Sequence, residues 1–243
     1  MASVKHSIDK YEKIRPMLRT GDIILFKDSG VSSIISFLEK KKRDHGTYTH
    51  VGIVIMSKSF PVGSQYRLCN INGVDYANVP YIFESTQSGI GGDGTVSVSG
   101  RKMLGVQLRK LDDVIFSYGS KKKTKIVIGK LRKKYKLDDE KVYESFLKYN
   151  MTRYQLNCVQ LLSTIFDFLK RFRRFFDIGI FCSELVALVF KESGVLNNEV
   201  NPKDCLPIDF FLQKGSFENL FSHFIEIEGR KIDQKNKVNC LGF

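Results

Sequence analysis

Tryptophan is absent from the 243 residues, and cysteine occurs only five times, at Cys69, Cys158, Cys182, Cys205 and Cys240. These are odd in number and widely scattered, with no CxxC pair and no Cys/His cluster at zinc-ligand spacing, so neither a disulfide framework nor a structural zinc site is expected. No apolar run approaches the length of a transmembrane helix, and the opening MASVKHSIDKYEK lacks the apolar core of a signal peptide. The expectation is a soluble, intracellular, reduced protein. Repeats and low-complexity blocks are also missing, so residues 1–228 read as one continuous unit, with a polar basic tail at 229–243. What is present suits a folded domain, because 42% hydrophobic and 12% aromatic residues supply a core for a chain of this length.

Acidic residues are in deficit. Lys and Arg number 39 against 26 Asp and Glu, a net charge of +13. The surplus gathers in KKKRD at 40–44, in KKKTKIVIGKLRKKYK at 121–136, in KRFRR at 170–174 and in the tail. Such patches attract phosphate, whether of an anionic membrane surface or of nucleic acid, and they also serve as ordinary solvated faces. Nucleic acid has no support beyond charge, since no helix-turn-helix, zinc-finger or RNA-recognition pattern is present. FLKRFRRFF at 168–176 interleaves Arg with Phe and suits a lipid interface, its alternative being a helix or loop whose Phe side chains are core.

The apolar patterning outlines an α+β chain. Residues 1–20 read as polar and helical, with Pro16 before the first strand, DIILF at 22–26. GVSSIISFLEKKK places Val31, Ile34, Ile35 and Leu38 at helical spacing. HVGIVIM (50–56), YIFES (81–85), MLGVQLR (103–109) and KIVIGKL (125–131) read as strands. LDDEKVYESFLKYN reads as a helix started by Asp138, and another helix is expected over about 155–170. FCSELVALVFKESG is an apolar-periodic helix ended by Gly194, with Cys182 in its first turn. The glycines of SGIGGDG at 88–94 neither follow a strand nor open a helix, so they read as a turn or hairpin tip and not as a phosphate cradle.

A thiol is nucleophilic as thiolate, and a helix N-terminus favours that form while offering free backbone N–H groups to a developing oxyanion. Cys182 has this setting, whereas Cys158 lies in an apolar helical pattern and Cys69, Cys205 and Cys240 fall in loops or tail. A general base must come from His6, His45, His50 or His223. His50 opens a strand that would fix its ring, where it can accept the thiol proton and later protonate a leaving group. His223, in FSHFIEI, reads as a structural residue on a strand. The group that orients the imidazole should be a carboxylate on a neighbouring strand. Glu84 at the end of YIFES fits, because a carboxylate in so apolar a setting is costly unless paired, the other reading being an exposed edge-strand Glu.

GDIILF, THVGIVI, FES, GVQLRKLDDVI with KIVIGKL, FCSELVALVF and NPKDCLPIDF follow the order of the circularly permuted NlpC-like papain-fold hydrolases. Over about residues 15–212 the chain resembles the YiiX-type branch and its poxviral relatives, and more distantly the lecithin retinol acyltransferase group. The resemblance implies an antiparallel sheet or partial barrel packed with helices, with His and carboxylate on strands preceding a Cys at a helix N-terminus. It implies Cys182 as nucleophile, His50 as base and Glu84 as orienting residue. Tyr154 of TRYQLN and Ser183 beside the nucleophile become candidate substrate or oxyanion contacts, and Asp22 reads as a structural turn residue. The expected activity is a cysteine amidase, peptidase or acyltransferase working through an acyl-enzyme on an N-acyl, lipid or peptide amide or ester, with no metal or organic cofactor. An N-acyl or lipid amide at an anionic membrane is the favoured substrate. The rival reading is a papain-like binding module that docks on anionic lipid, nucleic acid or protein through its basic surface.

Overall fold

The computed structural model describes residues 10–27, 48–67, 78–86, 105–119, 125–153 and 179–228. The helices expected over 30–42 and about 155–170, the 88–94 turn, FLKRFRRFF and the tail lie outside the described residues.

Six strands form one open antiparallel sheet: β1 (Ile23–Lys27), β2 (His50–Met56), β3 (Pro80–Thr86), β4 (Gly105–Lys110), β5 (Lys125–Leu131) and β6 (Phe221–Glu228), in the spatial order β4-β3-β2-β1-β5-β6. The central strands are apolar on both sides because both faces are covered, which is why DIILF and HVGIVIM read as unbroken apolar runs. Ile23, Leu25, Val51, Ile53, Tyr81, Phe83 and Leu108 line one face beneath α2 (Asp139–Tyr149), α3 (Cys182–Glu192) and α4 (Pro207–Leu212). Ile24, Phe26, Val54, Met56, Ile82, Ile126 and Ile128 line the other, beneath Tyr11, Ile14 and Leu18 of the N-terminal helical segment and α1 (Leu111–Gly119). The architecture is therefore mixed α+β, with helices on both faces of an antiparallel sheet.

Local chemistry sets the element ends. Asp138 caps α2 by accepting a hydrogen bond from the Glu140 N–H at 2.9 Å. α3 stops where Gly194 takes φ +73°, a turn that a side chain would strain. Pro16 sits in the 3-10 turn Arg15–Met17 that leads into β1. Asp22, just before β1, is fully buried, bound by Lys130 Nζ and by the backbone N–H groups of Arg19 and Leu131, in keeping with a structural turn residue. Two elements go beyond the sequence expectations. α1 is built by Leu111, Val114, Ile115 and Tyr118 at helical spacing, and α4 by PIDFFL after Leu206. Among the described residues no helix is long and apolar enough to cross a membrane.

Candidate active site

The antiparallel register draws three polar side chains into one diagonal. Phe26 pairs with His50 across β1 and β2, Ile53 with Phe83 across β2 and β3, and Glu84 with Gln107 and Ile82 with Arg109 across β3 and β4. Because side chains alternate along a strand, His50, Glu84 and Arg109 share the face that carries Ile24 and Ile82, each offset by two residues from the last. Gly52 makes the diagonal possible. It lies beside Glu84, where a Cβ would stand 2.6 Å from two Ile82 side-chain carbons and 3.1 Å from Glu84 Cβ.

Glu84 is completely buried, and both its oxygens are engaged. His50 Nε2–H donates to Oε2 at 2.5 Å, while Arg109 donates to Oε1 through Nε at 2.6 Å and contacts it again through Nη2. Burial alone would push the carboxyl up, but the Arg109 charge and the His50 and Arg109 hydrogen bonds win and hold it down at about 2. His50 keeps 12% of its side chain exposed, and its ring packs on Phe26 with centroids 5.4 Å apart.

Cys182 arrives from the helical layer on the opposite face. It is 2% exposed and is the first residue of α3, so its own N–H and the next have no acceptor within the helix. The approach to the helix is pinned at two points: Ser85 Oγ donates to the Ile180 carbonyl at 2.5 Å, and the Ile180 N–H bonds the Arg153 carbonyl. The thiol thereby stands beside the imidazole, near enough to act on its charge. With Nε2 committed to Glu84, Nδ1 is the nitrogen left to face it. Burial works to lower His50, but its interactions with Cys182 and with the Glu84 carboxylate outweigh it and raise the imidazole to about 10.

The sequence-derived trio of Cys182, His50 and Glu84 therefore converges, although the three are far apart in the chain. Ser183 is adjacent but its hydroxyl is spent on the Cys205 carbonyl at 2.7 Å, leaving its backbone N–H to offer. Tyr154 lies outside the described residues. Cys205 is buried and its thiol points to the Asn201 carbonyl, whereas His223 is exposed on β6 and bonds Ser222. Arg109 is not singled out by the sequence, where MLGVQLR reads as an ordinary strand. The signal available was a cation near the end of an apolar strand with a lone carboxylate in the neighbouring one. Among the described residues no group of three His, Cys, Asp or Glu side chains is placed to hold a metal ion. No known protein family matches the sequence, and no curated protein matches it.

Proposed function

We propose that the protein is a cysteine-dependent acyl hydrolase or acyltransferase built on a circularly permuted papain-like scaffold. The observation that carries this reading is the relay itself: a helix N-terminal Cys182 against His50, whose far nitrogen is bound by the buried Glu84 carboxylate. A cysteine on a helix with base and orienter on adjacent strands is the arrangement the permuted papain-like resemblance implies.

In the cycle, Cys182 Sγ attacks the carbonyl carbon of an amide or ester, and the electron pair of the C=O bond moves onto oxygen. The oxyanion is met by the free N–H groups at the start of α3. On collapse the C–N or C–O bond breaks, and the leaving amine or alcohol takes the proton from the His50 imidazolium. Water or an acceptor hydroxyl or amine then attacks the thioester while His50 takes its proton, expelling the Cys182 thiolate and restoring the pair. The +13 charge favours substrates presented at an anionic surface, an N-acyl or lipid amide being the leading class. Flotation with vesicles of phosphatidylserine and phosphatidylcholine at low salt tests that part, absence of binding removing the membrane component.

Iodoacetamide labelling with intact-mass readout and peptide assignment tests the core of the proposal. Cys182 is expected to label selectively in the folded protein. His50→Ala should slow that labelling and lower turnover of activated acyl esters by roughly 10²–10⁴-fold. Labelling indifferent to His50 would sink the enzymatic reading in favour of a binding module.

A further inference from the structure

We propose that Arg109 is a positioning residue of this site, its guanidinium clamping Oε1 of Glu84 so that the carboxylate stays charged and turned with Oε2 on His50 Nε2. The inference rests on the reading of Cys182 and His50 as nucleophile and base.

The geometry is that of a dedicated partner. Arg109 is 1% exposed and Glu84 0%, so neither charge is shared with water. Two guanidinium nitrogens converge on one oxygen, Oε1, and leave the other for the imidazole. Arginine suits the task because its guanidinium keeps its charge when buried and does not deprotonate. The catalytic cycle explains why a permanent cation is useful. While His50 is an imidazolium it helps keep Glu84 ionised, but once it has protonated the leaving group it is neutral. Arg109 is then the cation that prevents the buried carboxyl from picking up a proton. A neutral carboxyl would be a weaker acceptor, and the Nε2–H that orients the ring would lose its charge-assisted bond.

The charged groups against Glu84 come from β4 (Arg109) and β2 (His50), with Cys182 of α3 beyond the imidazole. From α1, which covers this face, Asp112 is taken up by Tyr11 and Arg15, and the Tyr118 ring packs on Phe26. Asp22, just before β1, and Lys130 of β5 are paired with each other, with Val54 and Ile82 between them and Arg109. Among the described residues Arg109 is thus the fixed positive charge on this carboxylate.

The test follows Cys182 labelling from pH 4 to pH 9 in the wild type and in Arg109→Lys, Arg109→Gln and Arg109→Met, with circular dichroism reporting folding. Lys retains the charge, Gln a hydrogen bond without charge, and Met neither. The Gln and Met variants are expected to gain an acid limb, losing at least about tenfold in labelling between about pH 7 and pH 5 relative to wild type as the buried carboxyl protonates. Arg109→Lys should restore the wild-type shape. A brace between strands would lower stability in all three without adding that limb. A folded Gln or Met variant with the wild-type profile overturns the proposal, and if Met does not fold, Gln decides. Wild-type Cys182 that fails to label at any pH overturns the acyl-transfer reading itself, an outcome distinct from unchanged profiles in the variants.

Discussion

At Gly52 the sheet has room for a hydrogen and nothing larger, and the consequence reaches the site. Gly52→Ala would press a methyl on the Ile82 side chain and Glu84 Cβ, at a cost of about 1–3 kcal/mol for overpacking. Thermal unfolding should register that loss, and Cys182 labelling should slow as Glu84 is displaced from His50. Glu84→Gln acts on the same atoms by charge. It preserves shape but removes the anion that holds the imidazolium, so turnover is expected to fall on the order of 10²–10⁴-fold, measured as kcat/KM on an activated acyl ester. His50, raised to about 10, acts as proton donor to the leaving group, so the alkaline limb of that rate should lie near pH 10 and be lost in His50→Ala. Which of these residues the sequence disclosed depended on scarcity. Four histidines and a glutamate set inside an apolar strand left few choices, whereas Arg109, one of 39 cations, was indistinguishable from an exposed strand residue until β4 was paired with β3.

Elements deliver these side chains, and the delivery has its own weak points. The start of α3 depends on the Ser85 hydroxyl, which meets the Ile180 carbonyl in a fully buried setting. Ser85→Ala would leave that carbonyl without its donor, costing about 1–3 kcal/mol, and would loosen the turn that sets Cys182 against His50. Unfolding by urea measures the first effect and the labelling rate the second. Asp138 offers a control at the same scale. Its cap on α2 is worth about 1 kcal/mol, so Asp138→Ala should lower stability by that amount and leave labelling per folded molecule unchanged. Strands β2 and β5 are legible to the residue, because IVIM and IVI within them are apolar runs of β-branched and large side chains. α1 was overlooked although Leu111, Val114, Ile115 and Tyr118 have helical spacing. LDDVIFSYG directly continues the β4 strand, and so short a periodic segment carries little signal without the sheet face it covers.

Across the whole molecule, buried charge gives stability a defined response to pH. The Glu84 carboxyl is held at about 2 in the fold against about 4.3 unfolded. Its contribution is complete above the unfolded value and is lost as pH falls through the folded one. His50 has the opposite sign, with about 10 in the fold against about 6.5 unfolded. Its contribution is complete below the unfolded value and is lost as pH rises through the folded one. From these two groups stability should plateau between about pH 4.3 and 6.5 and decline on either side. Calorimetric Tm across pH 3–10 checks this, and the acid decline should shrink in Glu84→Gln. The Asp22–Lys130 pair is a separate anchor. Lys130→Met would strand a buried carboxylate and cost about 3–5 kcal/mol, seen in Tm, with no effect on the pH profile of labelling in the folded fraction.

Sequence alone determined the mixed α+β class, the positions of the central strands, the caps of α2 and α3, and the candidate trio of Cys182, His50 and Glu84. Each of these is written in local patterning: apolar runs, helical periodicity, capping residues and the placement of a few rare side chains. Only the tertiary structure decided the order of the strands, the diagonal that sets Glu84 between His50 and Arg109, the need for a bare Cβ position at Gly52, and the pinning of the Cys182 turn by Ser85. The physical reason is register. Pairing two strands fixes which distant residues become neighbours, and a buried carboxylate takes its charge state from those neighbours and not from the residues beside it in the chain.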